Sequence, residues 1–123
     1  MSDSGRTKKE KNMASAAERP LKVVLELKWD HKDIYDAKVS VTVIDSCYVP
    51  GKLHEGLPPG EVGIPEMEYL TFPFTHKEGI CSDIVRTIDQ TIKIRFSAAK
   101  PKATAFATVN GKVVGHDTKP FPK

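Results

Sequence analysis

A period-two rhythm of apolar side chains constrains this 123-residue chain more than any other feature. Leu21, Val23, Leu25, Leu27 and Trp29 alternate with Lys22, Val24, Glu26 and Lys28. Successive side chains of an extended backbone point to opposite faces, so the first set lines one face of a strand. Val39, Val41 and Val43 repeat the pattern against Lys38, Ser40 and Thr42, with β-branched residues that suit a pleated surface. It returns at Ile92, Ile94 and Phe96, and in the segments 102–109 and 112–117. Between these last two stands Asn110-Gly111, whose residues tolerate the positive φ of a type I′ turn. A two-residue loop there predicts Val109 opposite Lys112, Thr108 opposite Val113, Ala107 opposite Val114 and Phe106 opposite Gly115, so that Phe106 covers the glycine.

Other segments carry weaker signals. Asp30 to Asp36 separates the first two strands by too much for a two-residue hairpin and predicts a longer loop. Met67 to Phe74 is extended, and Pro73, which has no N–H for a ladder, predicts an edge or a bend there. Ile80, Cys81, Ile84, Val85 and Ile88 recur at helical spacing with Ser82 as a cap, which predicts one short helix over 80–89. The β-branched content of the same segment also fits a strand. Six or seven strands with turns between them predict an all-β, antiparallel β-sandwich of the immunoglobulin or transthyretin kind. The alternative is an OB-like five-stranded barrel, which a helix over 80–89 would favour.

The length allows one domain. Residues 1–19 hold no aromatic or β-branched aliphatic side chain and read as a disordered tail, with Arg6, Lys8, Lys9 and Lys11 as a basic patch. Residues 20–118 form the single β-rich domain, and 119–123 read as a flexible C-terminal tail. No segment has the length of a membrane helix or the apolar block of a signal peptide, which predicts a cytoplasmic protein with no membrane partner. The formal charge of +3 is too mild to require a polyanionic partner. Cys47 and Cys81 lie 34 positions apart without CxxC spacing; a disulfide is conceivable, and reduced thiols suit the cytoplasm.

No catalytic signature appears. Ser82, Cys47 and Cys81 lack a nucleophile-elbow context, and His31, His54, His76 and His116 are scattered singly, so no catalytic, metal or cofactor site is indicated. The carboxylates of Asp30, Asp33 and Asp36, with His31, gather in one connection but match no EF-hand spacing and read as surface turn residues. The connection 47–66 is different, with eight Pro or Gly in twenty positions. A long structureless loop in a small domain points to function, and proline lowers the cost of ordering it. Leu53, Leu57, Val62 and Ile64 are its candidate partner-binding residues. The function expected is therefore a non-catalytic interaction module that presents this loop and one exposed sheet edge to a protein partner or to another copy of itself. Lys93, Arg95, Lys100, Lys102 and Lys112 occur without an acidic residue between Thr91 and His116, which makes a nucleic-acid-binding surface the alternative. A small enzyme with an unlocated pocket is the third possibility.

Overall fold

The structure, a computed structural model, describes residues 19–122. The expected N-terminal tail, with its basic patch, lies outside the described residues apart from Arg19. Eight strands follow in order: β1 Lys22–His31, β2 Ile34–Val43, β3 Tyr48–Pro50, β4 His54–Glu55, β5 Met67–His76, β6 Arg86–Arg95, β7 Lys102–Val109 and β8 Lys112–Pro120. They form two sheets, one ordered β1-β2-β6 and one ordered β3-β5-β7-β8, with β4 also on β5. The first sheet is antiparallel throughout, whereas β5 and β7 run parallel because the chain crosses to the other sheet as β6 between them.

The core lies between the sheets, as the alternation requires. Leu25, Val39, Val41, Val43 and Ile94 from the first sheet meet Leu70, Phe72, Ala105, Ala107 and Val109 from the second, all buried. Side chains also close both lateral gaps between the sheets. Asp117 accepts from the Leu25 N–H at 2.8 Å, while Lys119 Nζ donates to the Leu25 carbonyl at 3.1 Å, so β8 satisfies the edge strand β1 without a backbone ladder. On the opposite side Gln90 of β6 accepts from the Leu53 N–H and donates to the Gly51 carbonyl. The β1 edge that an exposed-edge docking mode would use is thus partly occupied by β8.

Several local expectations are corrected. No helix forms among the described residues: 80–85 are irregular, and β6 begins at Arg86 in register with Val43 of β2. A full antiparallel ladder for Ile88 and its neighbours outweighs the helical spacing, and the helix on which the barrel alternative leaned is absent. The β1–β2 connection is a two-residue turn, Lys32-Asp33, with Lys32 at φ 50; a bulge between Trp29 and His31 absorbs the extra length. Trp29 stays 59% exposed, its indole N–H folded onto the Lys32 carbonyl. Pro73 sits in a central strand, opposite the break between β3 and β4, where only its carbonyl is used, by Gly51.

The final hairpin turns at Asn110-Gly111 with both φ positive, as expected. Its register holds for two pairs and then slips: Ala107 faces Gly115 and Phe106 faces His116. Val114 is the extra residue, and its carbonyl accepts from the Leu21 N–H. A Cβ on Gly115 would collide with the Leu21 carbonyl, so the glycine serves the approach of β1 rather than needing cover from Phe106. The C-terminal segment is not a frayed tail either. Lys119 and Pro120 belong to β8, and Phe121 is buried against Tyr35 and Phe96.

Candidate functional site

Three regions were marked by the sequence or emerge from the fold, and each has a distinct geometry. The first is the connection 47–66, which is not structureless, since β3 and β4 anneal its first half to β5. Leu53 is fully buried and Leu57 half-buried, so these two anchor the loop instead of offering contacts. Val62 and Ile64 are 95% and 53% exposed. The backbone that carries them is held from behind: Ile64 N–H donates to the Tyr69 hydroxyl at 2.9 Å, and Glu61 N–H to the Pro58 carbonyl at 3.1 Å. A Cβ on Gly63 would strike the Tyr69 ring and Leu57, so this glycine lets the loop lie flat on β5. Behind the loop, burial and then the adjacent Glu55 carboxylate push the Glu68 carboxyl above its usual range, partly offset by Lys100.

The second region is the basic segment. Lys93 Nζ bonds Asp36 at 2.7 Å and Asp30 at 3.2 Å, Arg95 bonds Asp33 at 3.0 Å, and Lys100 lies 3.9 Å from Glu68. The acidic cluster and the basic run, separate in sequence, are thus neighbours that largely neutralise each other. Asp36 and then Asp30 raise the Lys93 pKa, while His31 and then Lys93 lower that of Asp30. Lys102 and Lys112 lie on β7 and β8, at opposite ends of that pair. Phe106 is half-buried between Tyr69 and His116, and Phe96 packs on Tyr35 and Phe121, so neither ring is an open stacking platform. His116 is exposed and does not face the core.

The third region was not visible as a unit in the sequence. At the end of the sandwich that holds the β2–β3, β5–β6 and β7–β8 connections, Asp45 is buried and His76 Nε2 lies 3.0 Å from both of its carboxylate oxygens. An ionised carboxylate only accepts, so Nε2 carries the ring proton here. Asp45 Oδ1 also accepts from the Cys47 N–H at 2.8 Å. Burial pushes the Asp45 carboxyl up, but the His76 and Cys47 hydrogen bonds, with the charges of His76 and Arg19, outweigh it and leave the pKa below the ordinary value. The His76 N–H donates to Asn110 Oδ1, and its ring meets Tyr48 edge-on at 4.6 Å. Cys47 and Cys81 are joined as a disulfide, contrary to the reduced thiols expected for a cytoplasmic chain. Two backbone-directed bonds, Ser46 N–H to the Ser82 carbonyl and Ser82 N–H to Ser46 Oγ, tie the same loops independently of sulfur. Asp45-x-Cys47 and His76-x4-Cys81 are the only local trace of this cluster in the sequence, two short pairs of ligand-type residues 29 to 36 positions apart.

Two surface grooves also lie among the described residues. One, of about 570 Å³, runs between β1 and the end of β8 and is lined by Leu25, Glu26, Leu27, Lys28, Lys119, Pro120 and Pro122. The other, about 290 Å³, lies over Tyr35, Phe96 and Phe121. Neither is lined by a histidine, and Glu26 is their one carboxylate. Among the described residues no helix is long and apolar enough to cross a membrane. Comparison of the chain with protein-family models, with curated proteins and with solved structures finds no match.

Proposed function

We propose that the chain is a non-catalytic β-sandwich interaction module, which presents the tip of the 47–66 connection to a protein partner, a second copy of itself included. One observation carries this: Val62 and Ile64 stand in solvent on a backbone held by Tyr69, Pro58 and the anchors Leu53 and Leu57. An apolar pair on a preordered loop loses little entropy on binding, so its burial converts more fully into affinity. Had the loop been a lid over the core, these two side chains would point inward.

Nucleic-acid binding ranks second, because Lys93, Arg95 and Lys100 already lie beside carboxylates that a phosphate backbone would have to displace. A cytoplasmic setting remains part of the proposal; there Cys47 and Cys81 would stand as thiols, and the Ser46–Ser82 bonds would keep their loops together.

The paired substitution Val62→Asp with Ile64→Asp tests the module. Denaturant unfolding should change by less than about 0.5 kcal/mol, as for surface positions, while sedimentation equilibrium at rising concentration should show association in the wild type that the variant loses. A stability loss above about 1 kcal/mol would make the pair structural. A wild type that stays monomeric throughout would remove the second copy as partner.

A further inference from the structure

Four side chains with metal-ligating atoms converge at the Asp45 end. Asp45 and Cys47 come from the β2–β3 connection, His76 from the last position of β5, and Cys81 from the β5–β6 connection. One donor atom from each lies within 4.8 Å of every other. We infer that, once the Cys47–Cys81 bond is reduced, these four residues bind a single zinc ion, so that the same cluster holds either a disulfide or a metal and never both.

The donor set selects the ion. Two thiolates, one imidazole and one carboxylate suit a borderline-soft, tetrahedral cation and not calcium or magnesium, which take oxygen shells. Ligands at about 2.0–2.3 Å from zinc stand about 3.3–3.8 Å from one another. The present spread therefore closes with side-chain movements on the order of 1 Å. The sulfurs must move the other way: bonded sulfurs lie about 2.0 Å apart, too close to be two corners of the tetrahedron. This is why the two states exclude each other.

Supports for the ligands are already in place. Oδ1 of Asp45 is held by the Cys47 N–H, which leaves Oδ2 to coordinate. Tyr48 and Asn110 fix His76, the ring from its edge and the backbone through its N–H. The Ser46–Ser82 bonds keep the two cysteine-bearing loops adjacent when the S–S bond is absent. Asp45 is buried and the other three ligands are half-buried, so the site is shielded from water yet open to an arriving ion.

Two equivalents of a small monothiol reduce the protein disulfide to two cysteine thiols and are themselves oxidised to one small-molecule disulfide. Zinc then replaces the two thiol protons, which are released to solvent. His76 binds through Nε2 and keeps a proton on Nδ1, any proton displaced from Nε2 leaving to solvent, and Asp45 binds through its carboxylate.

The test uses the full chain, reduced with a phosphine and titrated with Co²⁺ under anaerobic conditions. Expected are a thiolate-to-cobalt charge-transfer band that saturates at one ion per chain, displacement by equimolar Zn²⁺, and no band from the oxidised protein. His76→Gln and Asp45→Asn should each weaken Co²⁺ binding by more than about tenfold, since even outer-shell partners are worth 10- to 100-fold. X-ray absorption of the zinc-loaded wild type needs no variant and should show two sulfur and two nitrogen or oxygen neighbours. No charge-transfer band from the reduced protein, equal cobalt affinity in folded His76→Gln and Asp45→Asn, or a shell without sulfur or with four sulfurs would each overturn the assignment.

Discussion

The two ends of the sandwich handle charge in opposite ways. At the end that carries the Lys32-Asp33 turn, Lys93 and Arg95 face Asp30, Asp33 and Asp36 in the open, where water screens every pair. At the other end a single carboxylate, Asp45, is buried with one histidine, and a disulfide spans the connections around them. The first end has more charges and less at stake. Density of charge in a sequence therefore says little about where a fold concentrates its chemistry; what matters is whether the groups are removed from water.

The largest expected effect lies at the buried end. Replacing Cys47 and Cys81 with Ser releases a loop of sequence separation 34 and should cost about 3–4 kcal/mol by chain entropy, read as a fall in the denaturant midpoint. Asp45→Ala should follow at about 3 kcal/mol, because it removes the partner of His76 and of the Cys47 N–H together. A loss below 1 kcal/mol in either would erase the contrast between the ends.

Acid should sharpen it. Asp45 and Asp117 have folded pKa values below the ordinary carboxylate value, so folding favours their charged forms. Their contribution is complete above the unfolded pKa of about 3.9 and is lost as pH falls through the lower folded values. Stability of the wild type should drop in that window, and Asp45→Asn should flatten the drop. Glu68 works in the opposite direction: its raised pKa gives stability at low pH that disappears as pH rises through the folded value.

Smaller effects belong to the open end. Lys93→Ala and Arg95→Ala should each cost less than about 1 kcal/mol, with the difference vanishing in high salt. Smallest is Tyr48→Phe, at the Asp45 end beside His76. The buried Tyr48 hydroxyl has no hydrogen-bond partner among the described residues, so its removal should leave unfolding within about 1 kcal/mol of the wild type or raise stability. A larger loss would mean the hydroxyl is satisfied after all.

The strands were legible because their cause is local. Val39, Val41 and Val43 alternate with polar residues, and all three are buried. The Asn110-Gly111 turn was legible for the same reason, since its positive φ values are a property of those two residues. What stayed hidden depends on distant partners. The bulge at Val114 exists because β1 docks beside it, and β6 replaces the expected helix because β2 offers a ladder 45 residues upstream, as between Thr42 and Thr87. Of the four loop residues expected to bind a partner, composition alone did not separate the anchors Leu53 and Leu57 from the exposed Val62 and Ile64; β4 pairing and the Gln90 clamp do. The Asp45–His76 cluster was illegible because two separate connections and the end of β5 assemble it.

A pair of double-mutant cycles on the oxidised chain compares the two ends on one scale. Asp45→Asn with His76→Gln should yield a coupling of about 2 kcal/mol or more, and Lys93→Ala with Asp36→Ala one below about 1 kcal/mol. Equal couplings, or the reverse order, would contradict the assignment of the buried end as the energetically committed one.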